Sequence, residues 1–311
     1  MARKLRLQYP GAVYHVLNRG DRREAIVRDD QDRQRFLETL AEACGKTGWR
    51  VHAYCLMPNH FHLVLETPQA NLVAGMKWFL GTYTSRFNHR HQLSGHLFSG
   101  RYKALVVDDT TPGYLKTACD YVHLNPARAM LLSAEAPLKA YPWSSFSEYL
   151  KSASHRPAWL RVDRLLGEHG IPRDSPAGRR RFAQGMEERR RAEHGPEAWA
   201  AVRRGWCLGG EAFRKELLAQ VSERRGAHHY EAELREGEEE KAERLVKAEL
   251  ARRQWTEEDL ARKPKTDRHK ARLALRLRRE TTMTLAWVAR RLQMGSVNTL
   301  KNTLRLANSR D

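Results

Sequence analysis

Paired cysteines are missing from this chain of 311 residues. Cys44, Cys55, Cys119 and Cys207 stand singly, with no CxxC pair to hold zinc or to run thiol–disulfide chemistry. Scattered free thiols suit a reducing compartment, so a cytoplasmic, nucleoid-associated location is expected. Long apolar runs are missing as well. No stretch approaches the 18 apolar residues that a membrane span needs, and residues 1–11 (MARKLRLQYPG) lack the hydrophobic segment of a secretory leader. Acidic residues are outnumbered, 37 against 56 basic ones, which leaves a formal charge of +19. A soluble chain so basic points to a polyanionic partner, and nucleic acid is the commonest. The hydrophobic fraction of 41% is enough for a packed core and argues against wholesale disorder.

The length suggests two domains with a connector, and the composition shifts near residue 150. Residues 1–150 carry a net +6 and most of the strand-like and aromatic sequence; residues 151–311 carry +13 and are rich in Arg, Glu, Ala and Leu, a helical vocabulary. Three regions are expected: 1–150, a charged helical connector over 151–255, and a helical region over 256–311. Within the connector, 175–193 is dense in arginine, and the acidic run Glu238-Glu239-Glu240 reads as a solvated face or a spacer. Gly205–Leu218 follows without an assignable chemistry.

The first region alternates strands and helices. Ala12–Asn18 has strand alternation. Asp29 or Asp30 caps a helix through Phe36, Leu40 and Cys44 that stops at Gly45 or Gly48. Two strands, Trp49–Leu56 and His60–Glu66, are joined through Pro58-Asn59. A helix follows from Asn71 with apolar positions Leu72, Met76, Phe79, Leu80, Tyr83 and Phe87. Then come a strand over Tyr102–Val107 and a helix opened by Thr111-Pro112 and closed near Asn125, ahead of Pro126. Strand–helix–strand–strand–helix–strand is the split βαβ, ferredoxin-like order. The expected fold class is therefore α+β, with a mostly antiparallel sheet, helices on one face, and a mainly helical C-terminal part.

Chemistry concentrates in two places. In Pro58-Asn59-His60-Phe61-His62-Leu63-Val64-Leu65, residues two apart share a strand face. His60 and His62 then point one way as half of a divalent metal site, while Phe61, Leu63 and Leu65 enter the core. The plainer alternative is a pair of half-exposed sheet histidines. In Asp120-Tyr121-Val122-His123-Leu124-Asn125-Pro126, Tyr121 and Asn125 lie one turn apart on a helix face. A phenol becomes a competent nucleophile for phosphodiesters when a metal stabilises the developing charge, and Asn125 can add an oxygen ligand. The alternative for Tyr121 is ordinary helix–sheet packing. His123 sits about 200° around the helix from Tyr121 and reads as packing or DNA contact. His15 and His52 read as surface or supporting histidines that could share the face of the pair.

These motifs, together with GAVYHVLNRG (11–20), YCLMPNHFHLVLE (54–66), LFSGRYKALVVD (97–108), DYVHLNPAR (120–128) and YPWSSFSEY (141–149), resemble the REP-associated tyrosine transposases, a branch of the single-tyrosine HUH transposases. The resemblance covers roughly residues 5–150. It implies that His60, His62 and Asn125 hold Mg²⁺ or Mn²⁺. It implies that Tyr121 attacks single-stranded DNA carrying hairpin-forming palindromes, giving a 5′-phosphotyrosine and a free 3′-hydroxyl. Insertion-sequence relatives often carry Gln where this chain has Asn125, whereas the REP-associated branch commonly has Asn. The chain would act as a monomer or homodimer without a membrane; the competing reading is a non-catalytic DNA-binding regulator of palindromic repeats.

DNA contacts are expected from the basic groups Arg3, Lys4 and Arg6 and Arg19, Arg22 and Arg23. Stacking on unpaired bases is expected from Trp78, Tyr83, Phe98 and Tyr102, with Arg101 between the last two; Tyr83 also fits a helical apolar stripe. At the C-terminal end, Thr284–Leu292, a turn at Met294-Gly295 and a helix capped by Ser296 make a helix-turn-helix pattern. Val288, Leu292, Val297, Leu300 and Leu304 would pack the pair, leaving Asn298, Thr299, Lys301, Asn302 and Arg305 facing DNA. A basic helix over Lys265–Glu280 would lie along the backbone.

Overall fold

In the computed structural model, which describes residues 7–192, 199–203, 205–225 and 230–308, the split βαβ order is present. Strands β1 (Ala12–Arg19), β2 (Arg50–Leu56), β3 (His60–Thr67) and β4 (Lys103–Val107) lie in the order β2-β3-β1-β4, with every neighbouring pair antiparallel. Helix α1 (Asp30–Thr47) starts where Asp29 accepts a hydrogen bond from the Asp32 amide, and it ends at Gly48, whose φ of 74° few other residues adopt. Helix α2 (Leu72–His91) lies between β3 and β4, and α3 (Tyr114–Arg128) follows β4.

Two features depart from the expectation. The first is the layering. Phe61 packs against Phe36 of α1 and Phe79 of α2, at 5.2 and 6.1 Å between ring centres, whereas the next residue, His62, meets Tyr121 of α3. Successive strand residues point to opposite faces, so α3 covers the face that α1 and α2 do not. Helices lie on both sides, which is why nearly all of β3 is buried. The second is the extent of α3. Thr110 and Thr111 donate to the Asp108 carboxylate in a turn, and the helix begins only at Tyr114; Glu168 accepts from the Gly113 and Lys116 amides there. At its other end Pro126 lies inside the last turn, where one missing N–H is tolerable, and the helix runs on to Arg128.

Beyond the core come α4 (Ser145–Tyr149), α5 (Asp163–Glu168), α6 (Pro176–Ala192) and α7 (Ala200–Arg203). Strand β5 (Cys207–Leu208) then adds a short parallel edge to β4, and α8 (Glu211–Arg225) follows. The arginine-rich 175–193 stretch is thus largely α6, whose Phe182 and Met186 are buried.

The described residues of 1–44, 48–70 and 79–227 form one compact unit, and those of 45–47, 71–78 and 228–308 form another. The second holds α9 (Tyr230–Arg253), α10 (Glu257–Arg262), α11 (Arg268–Glu280), α12 (Leu285–Arg291) and α13 (Val297–Asn308). Val246, Leu250, Leu260, Leu273, Leu277, Val288, Leu292, Leu300 and Leu304 make its core. The acidic run is more than a spacer: Glu239 accepts from the Trp287 indole at 2.7 Å, and Glu243 binds Arg291 at 2.6 Å. Lys270 is buried instead of lying free on a basic face, its ammonium donating to the Lys263 and Gln293 carbonyls. No helix is long and apolar enough to cross a membrane among the described residues.

Candidate active site

Pairing between β1 and β3 sets the floor of the site. Leu17 stands opposite His62 and Arg19 opposite His60, so His15, two residues before Leu17, is a diagonal neighbour of His62 on the same face. The His15 and His62 rings lie edge to edge, 5.2 Å between centres and 15° from parallel, with His15 Nε2 and His62 Nδ1 2.9 Å apart. His60 lies edge-on to His62 at 5.1 Å, and its Nδ1 meets Asn59 Oδ1 at 2.7 Å. From the helix side Tyr121 sets its ring 5.5 Å from His15 and 5.6 Å from His62. His60, His62, Tyr121 and Asn125 thus line one depression of about 1100 Å³, together with Arg19, Arg22, Arg23, Arg101, Lys103, Arg128 and Arg190.

Burial dominates the electrostatics. It pushes His15 and His60 down to about 4, Arg19 adding to the effect on His60. His62 is held well below the usual histidine value by burial, then by His15, His60, Arg128 and Arg19. All three imidazoles are therefore neutral at pH 7, the form in which a ring nitrogen keeps a lone pair.

Among the described residues no group of three His, Cys, Asp or Glu is placed to hold a metal ion. A cation here would rest on two imidazoles and an amide. The residues fit that role: the Nδ1 atoms of His60 and His62 are both engaged, which leaves their Nε2 atoms for a cation, and among the described residues the buried Asn125 amide nitrogen has no hydrogen-bond partner. An amide oxygen suits Mg²⁺ and Mn²⁺, whereas neutral imidazole suits the first-row transition metals, so the mixed set matches Mn²⁺ better than Mg²⁺.

The other expected residues are placed as follows. Arg19, Arg22, Arg23 and Arg101 are exposed on the rim; Arg3, Lys4 and Arg6 lie outside the described residues. Phe98 and Tyr102 are not open to a base. Phe98 is 8% exposed and packs edge-on to Phe61 at 5.9 Å, and Tyr102 is 7% exposed. Tyr83 is core and donates to the Ile26 carbonyl, and Trp78 has the Lys46 ammonium over its ring at 4.8 Å. His123 is packing: it is buried, bonded to Ser145 at 2.8 Å and ringed by Tyr149, Phe146 and Phe182. His52 meets Glu66 at 3.4 Å; Glu66 is four residues past His62 on β3, so His52 shares the face of the pair but sits at the far end of the strand. In the second unit, Asn298, Lys301, Asn302 and Arg305 are exposed on α13, whereas Thr299 is half-buried with its hydroxyl against Ser296.

Three contributors carry no role in the sequence reading. Arg128, seven residues after Tyr121 and so on its helix face, places its guanidinium 4.4 Å over the phenol ring; the spacing would have revealed it had the helix been extended past Pro126. Trp199 packs on Tyr121 at 5.6 Å from 78 residues away, with no local signal. Asp120, wholly buried beside Tyr121, binds His169 at 2.9 Å and Arg189 of α6 at 2.6 Å, so segments beyond residue 150 fix the tyrosine-bearing helix.

Residues 8–125 match the family of IS200-like transposases. No curated protein matches the chain. Among solved structures, a REP-associated tyrosine transposase bound to a REP hairpin is similar at 16% identity, covering 51% of this chain and 91% of that one with a TM-score of 0.41. The matched stretch, residues 8–125, carries β1 to β4, the histidine pair and Tyr121.

Proposed function

We propose that this chain is a metal-dependent transposase that cuts and rejoins single-stranded DNA at hairpin-forming, REP-like ends through a 5′-phosphotyrosine intermediate. One observation carries the reading: the Tyr121 phenol packs against the His60–His62 face at the bottom of a cationic depression. In this reading His60, His62 and Asn125 hold Mg²⁺ or Mn²⁺. When bound there, a cation would supply Lewis-acid stabilisation of charge on the scissile phosphate.

The chain's own residues do the rest. Arg19, Arg22, Arg23 and Arg101 draw the phosphate backbone to the depression. Arg128 holds the Tyr121 ring and places positive charge beside a developing phenolate. The Tyr121 oxygen bonds to phosphorus as the bond to the 3′ oxygen breaks; the phenol loses its proton and the leaving oxygen gains one. The ester bond keeps the energy of the broken linkage, so a second 3′-hydroxyl can reverse the step without ATP.

The domain limits 1–150, 151–255 and 256–311 belong to the same proposal, as does a cytoplasmic, nucleoid-associated location. Helices α12 and α13 are read as a helix-turn-helix. Its exposed Asn298, Lys301 and Arg305 would meet a duplex stem.

The test is incubation of the full chain with a hairpin-bearing oligonucleotide and Mn²⁺. A covalent adduct resistant to denaturation is expected, lost with EDTA and in Tyr121→Phe. Metal-independent binding with no adduct would replace this reading with that of a DNA-binding regulator.

A further inference from the structure

We propose that Asn59 and His15 are positioning residues that fix His60 and His62 in the tautomer with hydrogen on Nδ1, so that both Nε2 lone pairs face the depression. The inference rests on the metal reading above and names the groups that prepare its ligands.

For His60 the hydrogen-bond polarity follows from a chain of contacts. The Asn59 amide nitrogen donates to the Arg23 carbonyl at 3.0 Å. That fixes which end of the amide is oxygen, and the oxygen faces His60 Nδ1 at 2.7 Å. An amide oxygen only accepts, so Nδ1 carries the hydrogen and Nε2 keeps its lone pair. The carbonyl that starts the chain is presented by an unusual turn: Arg22 and Arg23 have φ of 50° and 67°, and Gly20 lies so close to the Glu24 carbonyl that a Cβ would meet its oxygen at 2.1 Å. Left-handed conformations at consecutive non-glycine residues carry strain and persist only where surrounding contacts impose them. The Gly20 amide donates to the Asn59 carbonyl at 2.8 Å, and the Ile26 amide to the Pro58 carbonyl at 2.9 Å.

For His62 the partner is His15, 2% exposed. In the 2.9 Å contact one nitrogen donates and the other accepts. If His15 donated, His62 would carry its hydrogen on Nε2 and offer no lone pair to the depression. Donation from His62 Nδ1 leaves Nε2 open, the polarity that the neighbouring His60 also has. The two rings lie nearly in one plane, 5.2 Å between centres and 15° from parallel, so the contact fixes the plane of His62 as well as its tautomer.

Supporting contacts of this kind typically change metal affinity 10- to 100-fold. The test titrates Mn²⁺ alone into the full chain, without DNA, and follows free Mn²⁺ by electron paramagnetic resonance. Nitrogen-15 NMR of the metal-free protein reads the histidine tautomers in parallel. The expected spectrum shows His60 and His62 with hydrogen on Nδ1. His15→Phe, which keeps a flat ring in place and removes the acceptor, and Asn59→Ala should each weaken Mn²⁺ binding about 10- to 100-fold. His15→Gln, whose amide oxygen reaches the position of Nε2, should recover most of the affinity; a packing role alone would not produce that recovery.

Hydrogen on Nε2 of either residue would overturn the inference. So would parental affinity in His15→Phe in a protein whose binding His60→Ala and His62→Ala abolish, an outcome that leaves the metal reading standing. Absence of Mn²⁺ binding by the unsubstituted chain would overturn the metal reading and this inference with it.

Discussion

Asp120 offers a quantitative test of how the tyrosine-bearing helix is held. Its carboxylate is wholly buried, while the Arg189 side chain that binds it is 35% exposed and that of His169 10%. The two halves of the ion pair are therefore unequal. Arg189→Met would leave a buried carboxylate supported by His169 alone, and stranding a buried charge costs about 3–5 kcal/mol. Asp120→Asn preserves shape and an acceptor for His169, and the released guanidinium can turn to water. Its cost should be nearer that of one weakened hydrogen bond, about 1–2 kcal/mol. In the double variant no buried charge is stranded, so its cost should fall below the sum of the two by about 1–3 kcal/mol. Urea unfolding of the full chain, read from midpoints at constant slope, measures all three. Equal costs for the two single variants, or strict additivity, would refute the assignment of the pair as a buried, asymmetric clamp on α3.

Phe98→Ala should destabilise the first unit by about 3–5 kcal/mol in the same assay, because the ring belongs to the aromatic core with Phe61 and Tyr83; unchanged stability with weakened DNA binding would restore its reading as a stacking residue. Burial holds His123 down to about 3, against 6.5 when exposed. The unfolded chain therefore binds this proton more readily, and its contribution to stability is full above about pH 6.5 and lost as pH falls towards 3, up to about 5 kcal/mol. His123→Phe, placed among Phe146, Tyr149 and Phe182, should flatten that acid limb, and an unchanged pH–stability profile would contradict it. Arg101→Ala should weaken single-strand binding and reduce the slope of log affinity against log salt by about 0.7; an unchanged slope would remove Arg101 from the phosphate-binding rim.

The elements most legible in the sequence are those written by local periodicity. Strand alternation marked β1 and β3, Asp29 and Gly48 bracketed α1, and the two-residue spacing of His60 and His62 put both imidazoles on one face. The site's helix was legible in position but not in length, since Pro126 reads as a stop yet costs only one hydrogen bond in a final turn. That error hid Arg128. Nor does local pattern show which face α3 covers, because a helix may pack on either side of a sheet whose two faces are both apolar. Phe98 sits in a loop beside Arg101 and has the composition of a binding segment, but its ring is drawn inward by Phe61 and Tyr83. Trp199, the Asp120–Arg189 pair and β5 depend on contacts over tens of residues, which no short window contains. Lys270 and the glutamates of α9 show the same limit from the other side: charge in a sequence suggests solvent, and only packing reveals a carbonyl, an indole or an arginine waiting for it.

The central claim is that Tyr121 becomes esterified to the 5′ side of a cut strand. Mass spectrometry of the proteolysed protein–DNA adduct, formed with Mn²⁺ on a hairpin oligonucleotide, reads this directly. The account predicts a 5′-phosphorylated nucleotide on the peptide containing Tyr121 and a free 3′-hydroxyl on the released fragment. A nucleotide carried by another side chain, or a 3′-phosphate on the released fragment, would contradict it.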